Sequence, residues 1–161
     1  MATADEIIKL RELIGDTDVV MVTTGTPSGE LHSRPLTLGS IEDDGTLTFL
    51  VDRRADWVAG VQFGQATNIA LANDDDKVWI SIAGHARIGE DRATIDRLWS
   101  PAVETFFDGG VDSPDLRVLF VEPTIAEYWD APSGPVQRLL TLASSLLGRS
   151  TPDSSGSIEL G

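Results

Sequence analysis

Apolar and polar positions repeat with two different periods along this chain, and each change of period marks a new element. Ile7, Ile8, Leu10, Leu13 and Ile14 recur at helical spacing behind Thr3-Ala-Asp-Glu6. That tetrapeptide reads as a capping box, in which the threonine hydroxyl accepts from an early amide and the glutamate reaches back. A first helix is predicted to end near Gly15. Val19 to Thr24 is a short β-branched run, the turn Pro27-Ser-Gly29 follows, and Leu31 to Leu38 is its antiparallel partner. A third strand, Thr46 to Asp52, comes after the acidic turn Asp43-Asp44-Gly45. Val58, Val61 and Gln62 place a short helix over 55–63 that closes at Gly64. Asn68 to Ala72 is a fourth strand. The longest strand is Lys77 to Ile88, where Val78, Ile80, Ile82, Ala86 and Ile88 alternate with Trp79, Ser81, His85 and Arg87.

Helical spacing returns over Asp91 to Trp99 and stops at Ser100-Pro101, because a residue before proline avoids the α region. Ala102 to Pro114 is a glycine-rich loop with Phe106 and Phe107, bulky apolar groups that need something to cover. Leu116 to Val121 and Thr124 to Asp130 are the last two strands, parted by Pro123 as an edge or bulge marker. Val136, Leu139, Leu140, Leu142, Ala143, Leu146 and Leu147 form an amphipathic helical pattern. The fold class that follows is mainly β: a small antiparallel β-barrel of six to seven strands with peripheral helices. It forms a single domain over 1–148, with a Ser/Gly/Asp-rich tail over 149–161 that is mobile or crosses to a partner.

Composition narrows the chemistry. The 161 residues, 41% hydrophobic and 24% charged, suit one folded core. With no cysteine, disulfides, thiolate metal sites, iron–sulfur clusters and cysteine nucleophiles are excluded. The 26 acidic and 12 basic residues leave a formal charge of -14, which repels nucleic acid and anionic membrane surfaces, so neither is an expected partner. The chain holds no apolar run of the ~18 residues a bilayer span needs, and its N-terminus lacks a basic flank, which predicts a cytoplasmic location.

His32 and His85 are the two histidines, and neither sits in a nucleophile elbow. Asp74-Asp75-Asp76 lacks the ligand spacing of a calcium loop and reads as a solvated turn, so no metal site is predicted. No Walker loop or Gly-x-Gly-x-x-Gly occurs. A phosphate would therefore need arginines: Arg34 in Ser33-Arg-Pro-Leu36, and Arg53-Arg54 after the third strand. Two readings stand for these, a phosphate fork or pairing with acidic neighbours and solvent.

The order Met21-Val-Thr-Thr24, Ser33-Arg-Pro-Leu36, Phe49-Leu-Val51 and Leu98-Trp-Ser-Pro101, with Phe106-Phe107 and Gly110, resembles one group of proteins. So do Asp115-Leu116, Glu127-Tyr-Trp-Asp130 and Ile158-Glu-Leu160. The chain is similar to bacterial general stress proteins of the general stress protein 26 type, within the pyridoxamine-phosphate-oxidase-like superfamily of FMN-binding split β-barrels. The resemblance covers nearly the whole chain. It implies a homodimer with FMN in clefts at the subunit interface, and a flavin-dependent oxidoreductase acting on a small molecule. The flavin contacts it implies are Ser33, Arg34, Pro35, Leu36, Phe49, Leu50, Val51, Arg53, Arg54, Trp57, Trp99 and Phe107. Arg34 would face the phosphate. Ala55 and Trp57 stand where such relatives place a serine and a lysine for that phosphate, so Arg53 or Arg54 would replace them, or the cleft takes a deazaflavin or stays empty. Trp57 either stacks on a ring or packs. Trp99, Phe106 and Phe107 either cover the flavin or anchor the dimer. The Arg-x-His that grips the vitamin in true pyridoxamine-phosphate oxidases is absent, since Glu30 and Ala83 precede the two histidines at that spacing. The alternative function is a non-catalytic flavin, deazaflavin or haem binding module.

Overall fold

A computed structural model describes residues 2–75, 77–130 and 155–161. Helix α1 (Ala4–Ile14) starts with the expected capping box: Thr3 accepts from the Glu6 amide, and the Glu6 carboxylate accepts from the Thr3 amide at 2.7 Å. These hydrogen bonds hold the Glu6 carboxyl below its ordinary pKa. The α1 side chains Leu10, Leu13 and Ile14 enter the main core.

Eight strands form one antiparallel sheet. They are β1 (Val19–Gly25), β2 (Leu31–Thr37), β3 (Ser40–Ile41), β4 (Leu47–Asp52), β5 (Gln65–Asn73), β6 (Val78–Gly89), β7 (Leu116–Asp130) and β8 (Ser155–Glu159). The order across the sheet is β2-β1-β5-β6-β7-β4-β3, with β8 added on β7. The sheet curls, so β2 at one end comes into contact with β4, which precedes only the short strand β3 at the other. A split barrel results, and its seam lies between those two strands.

Two departures from the predicted strands have physical reasons. The runs 116–121 and 124–130 are one strand, β7, that stays paired with β6 past Pro123. The register shifts between Ala83 and Gly84, opposite that proline, and a Cβ at Gly84 would collide with the Glu122 carbonyl. Pro123 thus marks a bulge within a strand and not a break. The second departure is the tail, where Ser155–Glu159 pairs with the far half of β7 and buries Ile158 and Leu160. With β3 it brings the strand count above the six to seven expected. The predicted helix over 136–147 lies outside the described residues.

Alternation decides the layers. On β4 and β7, Phe49, Val51, Leu119 and Val121 turn inward, onto a core shared with Val20, Val22, Ile69, Ile80 and Ile82. Leu50, Val118 and Phe120 turn outward, where helix α3 (Arg92–Leu98) and the segment after it cover them through Ile95, Trp99 and Phe107. The helix predicted over 55–63 is a single turn, α2 (Asp56–Ala59), and the loop after Ser100 contains another, α4 (Pro101–Glu104).

Candidate functional site

The seam holds a cavity of about 540 Å³. Its walls come from both ends of the sheet and from the arm over β4: Pro35 and Leu36 of β2, Leu50 of β4, Leu98 of α3, and Phe106 and Phe107 after α4. Among its lining residues, Asp18 at the mouth is the one with an ionisable side chain. Gly39 lets the walls approach, because a Cβ there would lie 3.0 Å from the Thr48 carbonyl and 2.8 Å from Leu98. A largely apolar, concave space of this size suits a planar ring system.

Arg34 stands two residues before Leu36 on the same face of β2, which puts it about 7 Å along the strand. Its Nη1 donates to the Thr24 hydroxyl at 2.9 Å and toward the Val22 carbonyl at 3.4 Å. Its guanidinium lies over the Trp57 ring, 4.4 Å from the centroid. No carboxylate among the described residues pairs with it, and burial lowers its pKa from the ordinary value. A half-buried cation lacking a counter-ion attracts an anion.

Arg53 and Arg54 are arranged differently. Arg53 Nε donates to Asp115 at 2.7 Å. Arg54 forks onto Asp52, with Nη2 to Oδ2 at 2.6 Å, and its Nε lies 3.4 Å from Asp115. The fork holds Asp52 below the usual carboxylate range and raises Arg54. For these two, pairing with acidic neighbours is what the structure shows.

The remaining predicted residues divide between the seam and the core. Pro35, Leu36, Leu50 and Phe107 line the cavity, and Trp99 sits behind it, 6.2 Å centroid to centroid from Phe107. Ser33 points to the opposite face of β2, its hydroxyl 2.6 Å from that of Thr23. Phe49 and Val51 are buried in the core, so only their backbone can face a ligand. Trp57 packs against that core while carrying Arg34, so it both packs and stacks, on a guanidinium. Thr24, Leu98 and Val103 were not among the predicted flavin contacts, although Thr24 and Leu98 stand in motifs that carry the resemblance. Thr24 had a signal, as a polar residue on the inward face set by Val20 and Val22. Val103 had none, since helical spacing does not say which strand a helix covers.

A phosphorylated flavin fits these residues in outline, with an apolar slot for the ring and an uncompensated guanidinium on the same strand for an anion. His32 and His85 are exposed, and His85 lies at a separate, smaller pocket of about 240 Å³ with Glu122 and Thr124.

The family described as "Pyridoxamine 5'-phosphate oxidase like" matches residues 5–153. Protein bli-3 of Neurospora crassa is 24% identical over 137 residues, which cover 80% of this chain and 66% of that protein. General stress protein 26 of Bacillus subtilis is 28% identical over 98 residues, covering 59% of this chain and 68% of that one. The chain thus spans about two thirds of the length of these relatives. Among solved structures, the general stress FMN/FAD binding protein of Xanthomonas citri superposes with a TM-score of 0.69 at 27% identity. That match covers 82% of this chain and 93% of the other.

Proposed function

The chain belongs to the pyridoxamine 5'-phosphate oxidase-like family, and from that membership we propose that it binds a phosphorylated flavin, FMN or a close analogue, as an oxidoreductase. The observation that carries this reading is the apolar seam cavity with Arg34, unpaired by any carboxylate among the described residues, on the same strand. A bound flavin supplies two-electron chemistry between a reduced nicotinamide and a small acceptor. Leu36, Leu50, Leu98, Phe106 and Phe107 exclude water from the ring, and Arg34 draws the phosphate. Oxidation of the vitamin itself is not proposed, because the 161 residues contain no Arg-x-His.

A second copy of the chain is the proposed partner. On the outer sheet face Trp79 and Trp129 lie opposite each other in register and are 48% and 45% exposed, with Val19 and Met21 exposed on β1. A cluster of exposed apolar groups on a sheet face marks an interaction surface. A homodimer in solution is expected, with Trp79→Asp shifting the sedimentation equilibrium to monomer.

The direct test is a visible spectrum of the purified protein, followed by titration of the apo form with FMN against tryptophan fluorescence. Saturable quenching supports the reading, and no response at high flavin concentration defeats it. Bound flavin that no nicotinamide reduces would instead favour a non-catalytic binding module.

A further inference from the structure

One wall of the seam cavity belongs to an arm, α3 and the segment after it, that rests on the sheet at two places. Ile95 packs with Leu116, Val118 and Phe120 on the outer face of β7. Leu98, at the end of α3, rests on Gly39, where a Cβ would come within 2.8 Å of its Cδ1. Gly39 leads into β3, a two-residue strand at the end of the sheet, which Ser40 and Ile41 pair to Thr48 and Leu47 of β4. A series of side chains reinforces that short pairing. Thr48 is fully buried, and its hydroxyl lies 2.7 Å from that of Ser40. Ser40 Oγ donates to Glu42 Oε1 at 2.5 Å, which leaves the Thr48 hydroxyl as the donor to Ser40 and satisfies it. Arg97, the neighbour of Leu98, donates from Nη2 to the same Glu42 oxygen at 2.9 Å, and its Nη1 lies 3.4 Å from Ser40 Oγ. The series Thr48, Ser40, Glu42 and Arg97 thus ties β4 to the last turn of α3. From the other side Arg11 of α1 holds the same hairpin, its Nη2 donating to the Ile41 and Glu42 carbonyls.

We propose, resting on the flavin reading above, that Glu42 is a positioning residue for the flavin: through Arg97 it holds Leu98 on Gly39 and so sets the width of the slot that takes the ring. Neither Glu42 nor Arg97 lines the cavity, while Leu98, Phe106 and Phe107, carried by the arm they fasten, all do. The pair is half-exposed, so the arm is fastened by an interaction of modest strength. Its loss loosens one wall and leaves the barrel interior packed.

The test uses the full chain and the variants Glu42→Ala, Arg97→Gln, Arg97→Lys and Arg11→Gln, with two readouts. In the flavin-free protein, hydrogen exchange is followed at the amides of Trp99, Val103 and Phe106, which are hydrogen-bonded within the arm. Glu42→Ala and Arg97→Gln are expected to speed that exchange about 2- to 5-fold, and the double variant no further than either alone, because both delete one pair. FMN dissociation constants should rise by a similar factor, about 2- to 5-fold, in the same variants, and stay close to the parent value in Arg97→Lys, which keeps a charged donor. Arg11→Gln loosens the hairpin from the side of α1, and is expected to lower resistance to denaturant with neither readout changed. Arm amides that exchange no faster in Glu42→Ala, an unchanged FMN affinity in that variant, or an equal loss of affinity in Arg11→Gln would each overturn the positioning role, while flavin binding by the parent stands. A parent chain that binds no FMN overturns the flavin reading and the role at the ring with it, and exchange at the arm then shows separately whether Glu42 fastens α3.

Discussion

Phe49 and Leu50 are neighbours on β4, yet one is sealed in the barrel interior and the other lines the seam cavity. The interior is filled by aliphatic and aromatic side chains from α1 and six strands. The seam keeps an open space of about 540 Å³, leaves Phe106 76% exposed, and holds a half-buried arginine with no carboxylate partner among the described residues. Strand alternation thus separates two tasks on opposite faces of the same backbone. Stability lies on the face where packing is complete, and binding on the face where it is left incomplete.

This contrast can be broken by mutation. Phe49→Ala is expected to have the largest effect, lowering unfolding free energy by about 3–5 kcal/mol in denaturant titrations. A loss under about 1 kcal/mol would mean that the interior is not where stability resides. Arg34→Gln should do the reverse, with a stability change under about 1 kcal/mol. FMN affinity should then fall by about 10- to 100-fold, as loss of charge-assisted hydrogen bonds requires. An unchanged dissociation constant would remove Arg34 from the site. Trp57→Leu keeps an apolar group against the core but deletes the stack, so a loss of about 1 kcal/mol in flavin binding is expected. If binding strengthens instead, the ring was obstructing the fork.

The smallest effect is expected at acid pH, far from the seam. Asp91 caps α3, and its bonds to the Thr94 hydroxyl and amide hold its carboxyl below the ordinary aspartate pKa. A depressed folded-state pKa gives stability that is present above the unfolded value and lost as pH falls through the folded one. Asp91→Asn preserves the cap but cannot titrate, so its acid unfolding curve should be shallower than that of the parent chain. Identical acid limbs would show that the cap does not feel the carboxylate charge.

Much of the fold was legible because local patterns carried it. The capping box, the alternation over 78–88 and the turn glycines each act within a few residues. The strand at 155–159 escaped because its sequence, Ser-Gly-Ser-Ile-Glu, has little β propensity; pairing with β7 and burial of Ile158 make it a strand. Within the candidate site, Arg34 and the aromatic loop could be singled out from the sequence, while the pairing of Arg53 with Asp115 could not. Asp115 lies 62 residues from Arg53, and only the pairing of β4 with β7 brings them together.

The sequence by itself determined most of the element types, the alternating faces of the strand over 77–88, and the overall negative charge, because periodicity and composition are properties of the chain before it folds. The tertiary structure decided which arginine keeps its charge available. Arg54 meets Asp52 two residues back, but Asp115 comes beside Arg53 and Arg54, and Trp57 beside Arg34, only when the chain folds, because these partners are distant in sequence.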